Sequence, residues 1–130
     1  MKVSVFVIFL FALIVGGCTS IETVKEAQGQ GVVRIYQYAY DDVFDAAVFV
    51  ANNVDPKWGS FDVVEVEKTI GRILINQFIY ERIAVFVKVV SPNVTEVEIV
   101  SKPVLPTMIF RNDWAQILFE RIDAELQAKK

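Results

Sequence analysis

The sequence contains no histidine and a single cysteine, Cys18, among its 130 residues. The lack of histidine excludes Ser-His and Cys-His nucleophilic catalysis in their usual forms and removes a typical zinc ligand. Only six glycines are present. They form neither a P-loop nor a Rossmann turn, so nucleotide binding through these motifs is unsupported. We therefore expect a protein that is not an enzyme and that holds no metal or cofactor.

The first 17 residues have the features of a secretory signal peptide. Lys2 supplies a positive charge, and the stretch from Val3 to Val15 is apolar except for Ser4. As a helix this stretch would be roughly 20 Å long, which is short for a hydrocarbon core of about 30 Å. We therefore predict a signal peptide over residues 1–17.

The cysteine directly follows two small residues, in the sequence Val15-Gly16-Gly17-Cys18. This segment resembles the lipobox of bacterial lipoproteins. The resemblance implies that a diacylglyceryl group is added to the Cys18 sulfur, that the chain is cleaved before Cys18, and that the new amine is acylated. Several acyl chains hold a protein stably on a membrane, whereas a single chain does so only marginally. An ordinary cleaved signal with an incidental cysteine is the alternative.

A lipidated cysteine would place the protein in the bacterial cell envelope. Thr19, rather than an aspartate, follows Cys18, which resembles the sorting signal for the outer membrane, so we expect the domain to face the periplasm. Lipidation would leave Cys18 no disulfide, metal or nucleophilic role. The formal net charge of −3 and the secreted location disfavour a nucleic-acid partner.

Residues 31–130 are predicted to form a single domain. Residues 18–30 precede it as the lipidated cysteine and a polar tether, which would reach at most about 40 Å when extended. Residues 31–38 are rich in β-branched and aromatic residues and indicate a strand. An amphipathic stripe then predicts a helix with Asp41 as its N-cap.

The second half of the domain is predicted to be four strands and a helix. Apolar runs joined by short turns over residues 61–101 are typical of an antiparallel meander, and a second stripe predicts a helix over residues 109–128. The order β-α-β-β-β-β-α would place both helices on one face of an antiparallel sheet of about five strands. This α+β two-layer sandwich is similar to helix-grip domains; a ferredoxin-like arrangement is the alternative.

The register of the hairpin near Tyr80 stays open from the sequence. A two-residue loop would set Leu74 and Phe78 beside the next strand. A loop of odd length would instead set three isoleucines beside Val85 and Val87, and we prefer it because it makes one continuous β-branched face. These isoleucines are Ile73, Ile75 and Ile79.

Two short motifs resemble a family of small uncharacterised bacterial lipoproteins, classed as a domain of unknown function. One is a helix start, Tyr40 followed by Val43-Phe44-Asp45-Ala46-Ala47, and the other is a strand entry, Pro92-Asn93-Val94-Thr95-Glu96-Val97. The resemblance implies a lipobox joined to an α+β domain and brings no catalytic residues. After Ile99 the chain departs from the family, with SKPVLPT in place of a loop that bears glycine and aspartate.

Carboxylates are the remaining candidates for chemistry. Asp41, Asp42 and Asp45 cluster at a helix start, where we prefer helix capping and dipole complementarity to a cation or general-base site. Four glutamates alternate along two strands, where we prefer a solvated face with Arg82 and Lys88 as cross-strand partners to a glycosidase-type pair. They are Glu65, Glu67, Glu96 and Glu98.

Apolar residues in connections are candidate contacts with a partner. Trp58 lies in a short loop and Leu105 between two prolines, so either could contact a protein or a membrane, or fold back into the core. A row of tyrosines at alternate positions could stack on a ligand, although packing beneath a helix or at a sheet edge is the preferred interpretation. The row is Tyr36, Tyr38 and Tyr40.

Two functions are consistent with these patterns. The first is a membrane-anchored, non-enzymatic envelope lipoprotein that serves as an accessory or structural subunit through contacts with an envelope protein. The alternative is a module that binds a lipid or small apolar ligand in a cavity between the C-terminal helix and the sheet.

Overall fold

The computed structural model describes residues 19–55, 61–78, 80–105 and 111–129. Three helices and five strands lie within these ranges. The helices are α1 (Ile21–Lys25), α2 (Tyr40–Asn52) and α3 (Trp114–Ala128). The strands are β1 (Val32–Tyr36), β2 (Phe61–Glu67), β3 (Arg72–Gln77), β4 (Glu81–Ser91) and β5 (Val94–Pro103).

The five strands form one antiparallel sheet in the order β1-β5-β4-β3-β2. Helices α2 and α3 contact each other and cover one face of it. The order β-α-β-β-β-β-α that follows α1 is the predicted one, and the helix-grip-like two-layer sandwich is confirmed. The first strand, β1, pairs with the last strand, β5, so the two edge strands of the sheet are β1 and β2.

The main core lies between the helix pair and the central strands. Alternate residues of these strands point to one face, as the period of two in the sequence predicts, and they meet the apolar stripes of the two helices. The buried residues include Ile73, Ile75, Ile83, Val85, Val97 and Ile99 from the sheet, and Phe44, Ala47, Trp114, Leu118, Phe119, Ile122 and Leu126 from the helices.

The hairpin between β3 and β4 has the preferred register. Ile73 lies opposite Val85 and Ile75 opposite Ile83, so a three-residue connection puts the β-branched rows on one face, and the expected odd loop is confirmed. Phe78, the first residue of this connection, has a φ of 46°, which is uncommon for an aromatic residue. Ile79 lies outside the described residues.

Both helix starts differ from the prediction. Helix α2 begins at Tyr40 with Ala39 as its N-cap, so Asp41 lies in the first turn and the prediction that it caps the helix is wrong. There its carboxylate still complements the helix dipole. Helix α3 begins at Trp114 rather than near residue 109, because the Asp113 side chain accepts a hydrogen bond from the Gln116 N–H at 3.1 Å and caps the helix there.

The N-terminal segment shows the largest departure from the prediction. The sequence predicts a polar tether over residues 18–30, but residues 19–30 contain α1 and pack on the sheet face opposite α2 and α3. The reason is a second, smaller apolar cluster, in which Val24 and Ala27 are buried. Their partners on the sheet are Leu74, Ala84, Phe86 and Val100. Among the described helices, none is both long enough and apolar enough to cross a bilayer.

Candidate functional site

A buried carboxylate holds the N-terminal segment on the sheet. Glu98, which is 5% exposed, accepts hydrogen bonds from the main-chain N–H of Gly29 at 2.8 Å and of Gly31 at 2.8 Å. Gly29 has a φ of 95°, and a Cβ at Gly31 would collide with the carbonyl oxygen of Ile99. The glycines therefore let the main chain approach Glu98 closely, which gives this glutamate a structural role.

The N-terminal end of the same segment lies beside the connection between β3 and β4 and the chain that follows β5. The main-chain N–H of Thr19 donates to the carbonyl oxygen of Val104 at 3.0 Å, and the N–H of Val104 donates to the carbonyl oxygen of Tyr80 at 2.8 Å. Cys18 immediately precedes Thr19 in the sequence. The residue predicted to carry the lipid is therefore joined, without intervening chain, to a residue fixed at this end of the sheet.

Three exposed apolar side chains lie at this end, and we call them the apolar tip: Phe78, Tyr80 and Leu105. They are 46%, 48% and 48% exposed, respectively. The rings of Phe78 and Tyr80 lie 5.5 Å apart between centroids. Leu105 is thus exposed, as a contact residue must be. The other predicted contact, Trp58, lies outside the described residues.

Next to the apolar tip, an ion pair between Glu81 and Arg111 connects β4 to the residues that precede α3. Glu81 is 2% exposed and accepts hydrogen bonds from Arg111 Nε at 2.7 Å and from the Ser101 hydroxyl at 2.9 Å. The hydrogen bond to Glu81 raises the pKa of Arg111 above its ordinary value. Since the guanidinium compensates the buried charge, the position of Glu81 has a structural explanation.

The aspartate cluster is paired with a lysine. Lys68 Nζ lies 3.1 Å from Asp45 and 3.3 Å from Asp41, and the hydrogen bond to Asp45 is the main cause of its raised pKa. These contacts tie α2 to the turn after β2. Within the described ranges, no group of three histidine, cysteine, aspartate or glutamate side chains has the geometry to hold a metal ion.

The four glutamates do not converge on one cleft. Glu65 binds Arg72 at 2.6 Å, and Glu96 lies opposite Lys88 in the β4–β5 register, as predicted. The prediction of a solvated face is wrong for Glu98, which is buried and accepts hydrogen bonds from the two glycines. The prediction that Arg82 is a cross-strand partner of these glutamates is wrong, because Arg82 donates instead to the carbonyl oxygens of Phe78 and Glu81.

The tyrosine row packs into the domain. Tyr36 is 7% exposed, and burial, followed by the neighbouring Asp123 carboxylate, raises its pKa well above the ordinary value. Its hydroxyl makes no hydrogen bond of standard geometry with the described part of the chain. Tyr40 stacks on Phe44 and donates to the carbonyl oxygen of Lys68 at 2.6 Å. The preferred interpretation of packing beneath a helix is confirmed for Tyr36.

The two sheet edges differ in how they are protected. Strand β2 carries acidic residues and a bulge between Val63 and Glu65, both of which discourage pairing with another strand. Strand β1 carries one charge, Arg34, and this guanidinium binds Asp123 at 2.6 Å and lies over the Phe119 ring. The remaining exposed side chains of β1 are apolar: Val32, Val33 and Ile35, at 56%, 51% and 48% exposure.

The interface between the C-terminal helix and the sheet is filled where the structure describes it. Leu118, Phe119, Ile122 and Leu126 are each no more than 2% exposed. Grooves lie around its rim instead. One of about 380 Å³ opens at the start of α3 between Trp114, Arg111 and Val32, and another of about 260 Å³ lies between β1 and the end of α3.

Comparison with known protein families and solved structures offers a likeness in fold only. No protein-family model matches the sequence, and no curated protein matches it. The crystal structure of Ara h 8.0201 is similar in chain course, with 11% sequence identity and a TM-score of 0.43, and the match covers 75% of this chain and 95% of that chain. We draw no functional property from a likeness of this extent.

Proposed function

We propose that this protein is a lipoprotein of the bacterial cell envelope, anchored through acyl chains on Cys18 and serving as a non-enzymatic accessory subunit through protein contacts. The outer membrane, with the domain facing the periplasm, is the proposed location, because Thr19 follows the cysteine. Support for the anchor comes from the lipobox-like Val15-Gly16-Gly17-Cys18.

The observation that carries the contact role is the unprotected edge of β1. An edge strand presents unpaired N–H and C=O groups, and proteins usually guard such an edge with charges, prolines or bulges. In the described chain β1 pairs only with β5, and its single charge is turned toward α3 by Asp123. The apolar Val33 and Ile35 stay exposed. An edge of this kind suits a partner that adds a strand.

The carboxylates noted in the sequence support a non-catalytic role. Asp41 and Asp45 bind Lys68, and Glu65 binds Arg72. Glu81, a carboxylate found in the structure rather than in the sequence pattern, binds Arg111. Each of these contacts joins two elements of the fold, so each has a sufficient structural reason. A catalytic pair would need two carboxyl groups facing one another across a cleft.

The anchor is tested by Cys18→Ser. We expect this variant to lose palmitate labelling and to move from the membrane fraction to the soluble fraction. Membrane partition and labelling equal to those of the unmodified protein would show that the anchor is wrongly assigned.

The partner edge is tested with a photoreactive residue in place of Ile35 on membrane-bound protein. The matched control carries it at Val64, which is 50% exposed on the opposite edge strand. We expect one discrete adduct from position 35 that is absent from position 64, and we expect Val33→Lys to abolish it. The same adducts from both positions would assign no special role to β1.

The alternative, a module that binds a lipid or small apolar ligand, has the groove at the start of α3 as its site. That groove is bordered by the apolar Trp114 and Val32 and by the cationic Arg111, which could receive an acyl chain and an anionic head. Native mass spectrometry of the purified domain decides between the two functions. A co-purifying lipid that Ala115→Trp displaces would favour this alternative.

A further inference from the structure

The apolar tip lies where the proposed anchor leaves the domain. Thr19, the residue after Cys18, is hydrogen-bonded to Val104, and Val104 is hydrogen-bonded to Tyr80. Since α1 and the Glu98 contacts hold the rest of the segment on the sheet, no slack chain remains between the anchor and the domain. Acyl chains on Cys18 would therefore bring this end of the sheet to the membrane surface.

The side chains of the tip have the chemistry of a membrane interface. Tyrosine presents an apolar ring with a polar hydroxyl and is enriched at the level of the lipid headgroups. Phenylalanine and leucine insert their apolar surface beside it. Phe78, Tyr80 and Leu105 are each close to half exposed, so this surface is available without any rearrangement of the core.

Two hydrogen bonds hold the described residues that flank Ile79 in the connection between β3 and β4. The positive φ of Phe78, 46°, is costly for a residue with a bulky side chain and persists only when neighbouring contacts hold it. Arg82 donates to the carbonyl oxygen of Phe78 at 3.0 Å. The main-chain N–H of Tyr80 donates to the carbonyl oxygen of Gln77 at 3.1 Å. These contacts keep the Phe78 ring at the end of the sheet, 5.5 Å from the Tyr80 ring between centroids.

Positive charge accompanies the tip although the chain is acidic. Arg82 and Lys102 lie directly opposite each other in the β4–β5 register, and like charges in such positions repel unless an anion or other partners offset them. The hydrogen-bond partners of both side chains are neutral, since Lys102 Nζ donates to the Gln30 side-chain oxygen at 3.2 Å and Arg82 donates to main-chain carbonyl oxygens. The neighbouring Glu81 carboxylate is paired with Arg111 instead. This end of the domain can therefore approach anionic headgroups, which attract basic residues near a membrane surface.

We propose that Phe78, Tyr80 and Leu105 form a membrane-contacting surface that inserts among the lipid headgroups beside the acyl chains of Cys18, an inference that rests on the proposed lipid anchor. The contact sets the orientation of the domain. The end of the sheet that carries Phe78 faces the bilayer, and the turn between β4 and β5 at the opposite end points away from it. The edge of β1 then stands beside the membrane rather than against it.

Tryptophan fluorescence on the full lipidated protein tests the orientation. Phe78→Trp is compared with Val90→Trp, a position 56% exposed near the far turn, in vesicles of phosphatidylethanolamine and phosphatidylglycerol with bromine on the acyl chains. Trp58 and Trp114 contribute the same background to both variants. We expect quenching and a blue shift for Phe78→Trp and neither for Val90→Trp.

The outcomes separate the anchor from the orientation. Vesicle flotation of both variants with equal quenching at the two positions would overturn the membrane-contacting surface and leave the anchor standing. Failure of both to float would overturn the anchor itself, and the surface with it. A blue shift of Phe78→Trp in the Cys18→Ser protein without vesicles, growing with protein concentration, would assign the tip to a second copy of the chain instead.

Discussion

The carboxylate of Glu98 accepts a hydrogen bond from the main-chain N–H of Gly31 at 2.8 Å, across 67 positions of sequence. Gly29 donates to the same carboxylate. Gly31 is the last residue before β1, so this contact lies where the N-terminal segment leaves the second face of the sheet and joins the edge strand. A side chain in the middle of β5 thus fixes both the N-terminal segment and the entry to the edge strand.

Glu98→Ala is expected to release the N-terminal segment. Two main-chain N–H groups lose a charged acceptor in a buried place, which costs about 1–3 kcal/mol of unfolding free energy. Urea unfolding measures that loss, and hydrogen exchange should show faster exchange at Gly29 and Gly31. Glu96→Ala is the matched control on the same strand and face, and we expect no change in exchange there. Equal effects of the two variants would contradict the assigned role of Glu98.

Arg111→Met is expected to destabilise the domain by about 3 kcal/mol, because it leaves the buried Glu81 without its counter-charge. Removing one partner of a fully buried ion pair costs about 3–5 kcal/mol of unfolding free energy, and the smaller loss is expected because the Arg111 side chain is 35% exposed. Adding Glu81→Met should recover most of the loss, as apolar groups of similar volume can replace a buried pair. Chemical denaturation of the two variants checks this. A double variant as unstable as Arg111→Met would show that the guanidinium acts through other contacts.

Tyr36→Phe is expected to leave stability near neutral pH within about 1 kcal/mol of the unmodified protein, because it removes a buried hydroxyl without a well-formed hydrogen bond. The folded-state pKa of Tyr36 lies above its ordinary value of 10.0. Its contribution to stability is therefore present below pH 10.0 and is lost as the pH rises toward the folded value. The variant should show a smaller alkaline fall in the urea midpoint.

Tyr40→Phe provides the contrast to Tyr36→Phe. Its hydroxyl donates to the carbonyl oxygen of Lys68 at 2.6 Å, so we expect this variant to lose about 1 kcal/mol near neutral pH. Equal neutral-pH stabilities of the two variants would contradict the different environments of the two hydroxyls.

Glu65→Gln is expected to lower stability at neutral pH but not in acid. The hydrogen bond from Arg72 holds the pKa of Glu65 below its ordinary value of 4.5. A depressed folded-state pKa gives stability that is present above 4.5 and is lost as the pH falls through the folded value. The difference between the unmodified protein and the variant should therefore vanish in acid. Arg72→Gln should reproduce the neutral-pH loss, and the double variant should add little to it.

Much of the main sandwich could be predicted because each of its strands and helices buries one face in the main core, and that face sets the spacing of apolar residues. The alternation of Ile83, Val85 and Val87 with Arg82 and Lys88 gave β4, and the helical spacing of apolar residues gave α2 and α3. The preference for a continuous β-branched face also gave the correct hairpin register. In each case one buried face dictates the period of the sequence.

The docked N-terminal segment could not be predicted from its own residues. Helix α1 has five residues, too few to show a period, and polar side chains separate Ile21, Val24 and Ala27. The signal lay in its partner strands. Leu74 lies between Ile73 and Ile75, and Phe86 between Val85 and Val87, so both faces of these strands are apolar, which indicates a sheet covered on both sides.

The apolar tip is only partly predicted by the sequence. Leu105 was predicted as a contact because it lies between prolines, but Phe78 and Tyr80 were considered only for hairpin register. Tyr80 is linked to Thr19 through Val104 by hydrogen bonds between segments far apart in sequence, which no local pattern indicates.

The bond between Gly29 and Glu98 joins residues 69 positions apart, and this separation has a consequence for the time course of synthesis. A chain made from its N-terminus exposes Cys18 and the segment after it well before β5 exists. The segment cannot pack on the sheet until β3, β4 and β5 have paired, so the proposed lipidation of Cys18 would precede this packing. Completion of the sheet would then bring the proposed acylated end onto the domain.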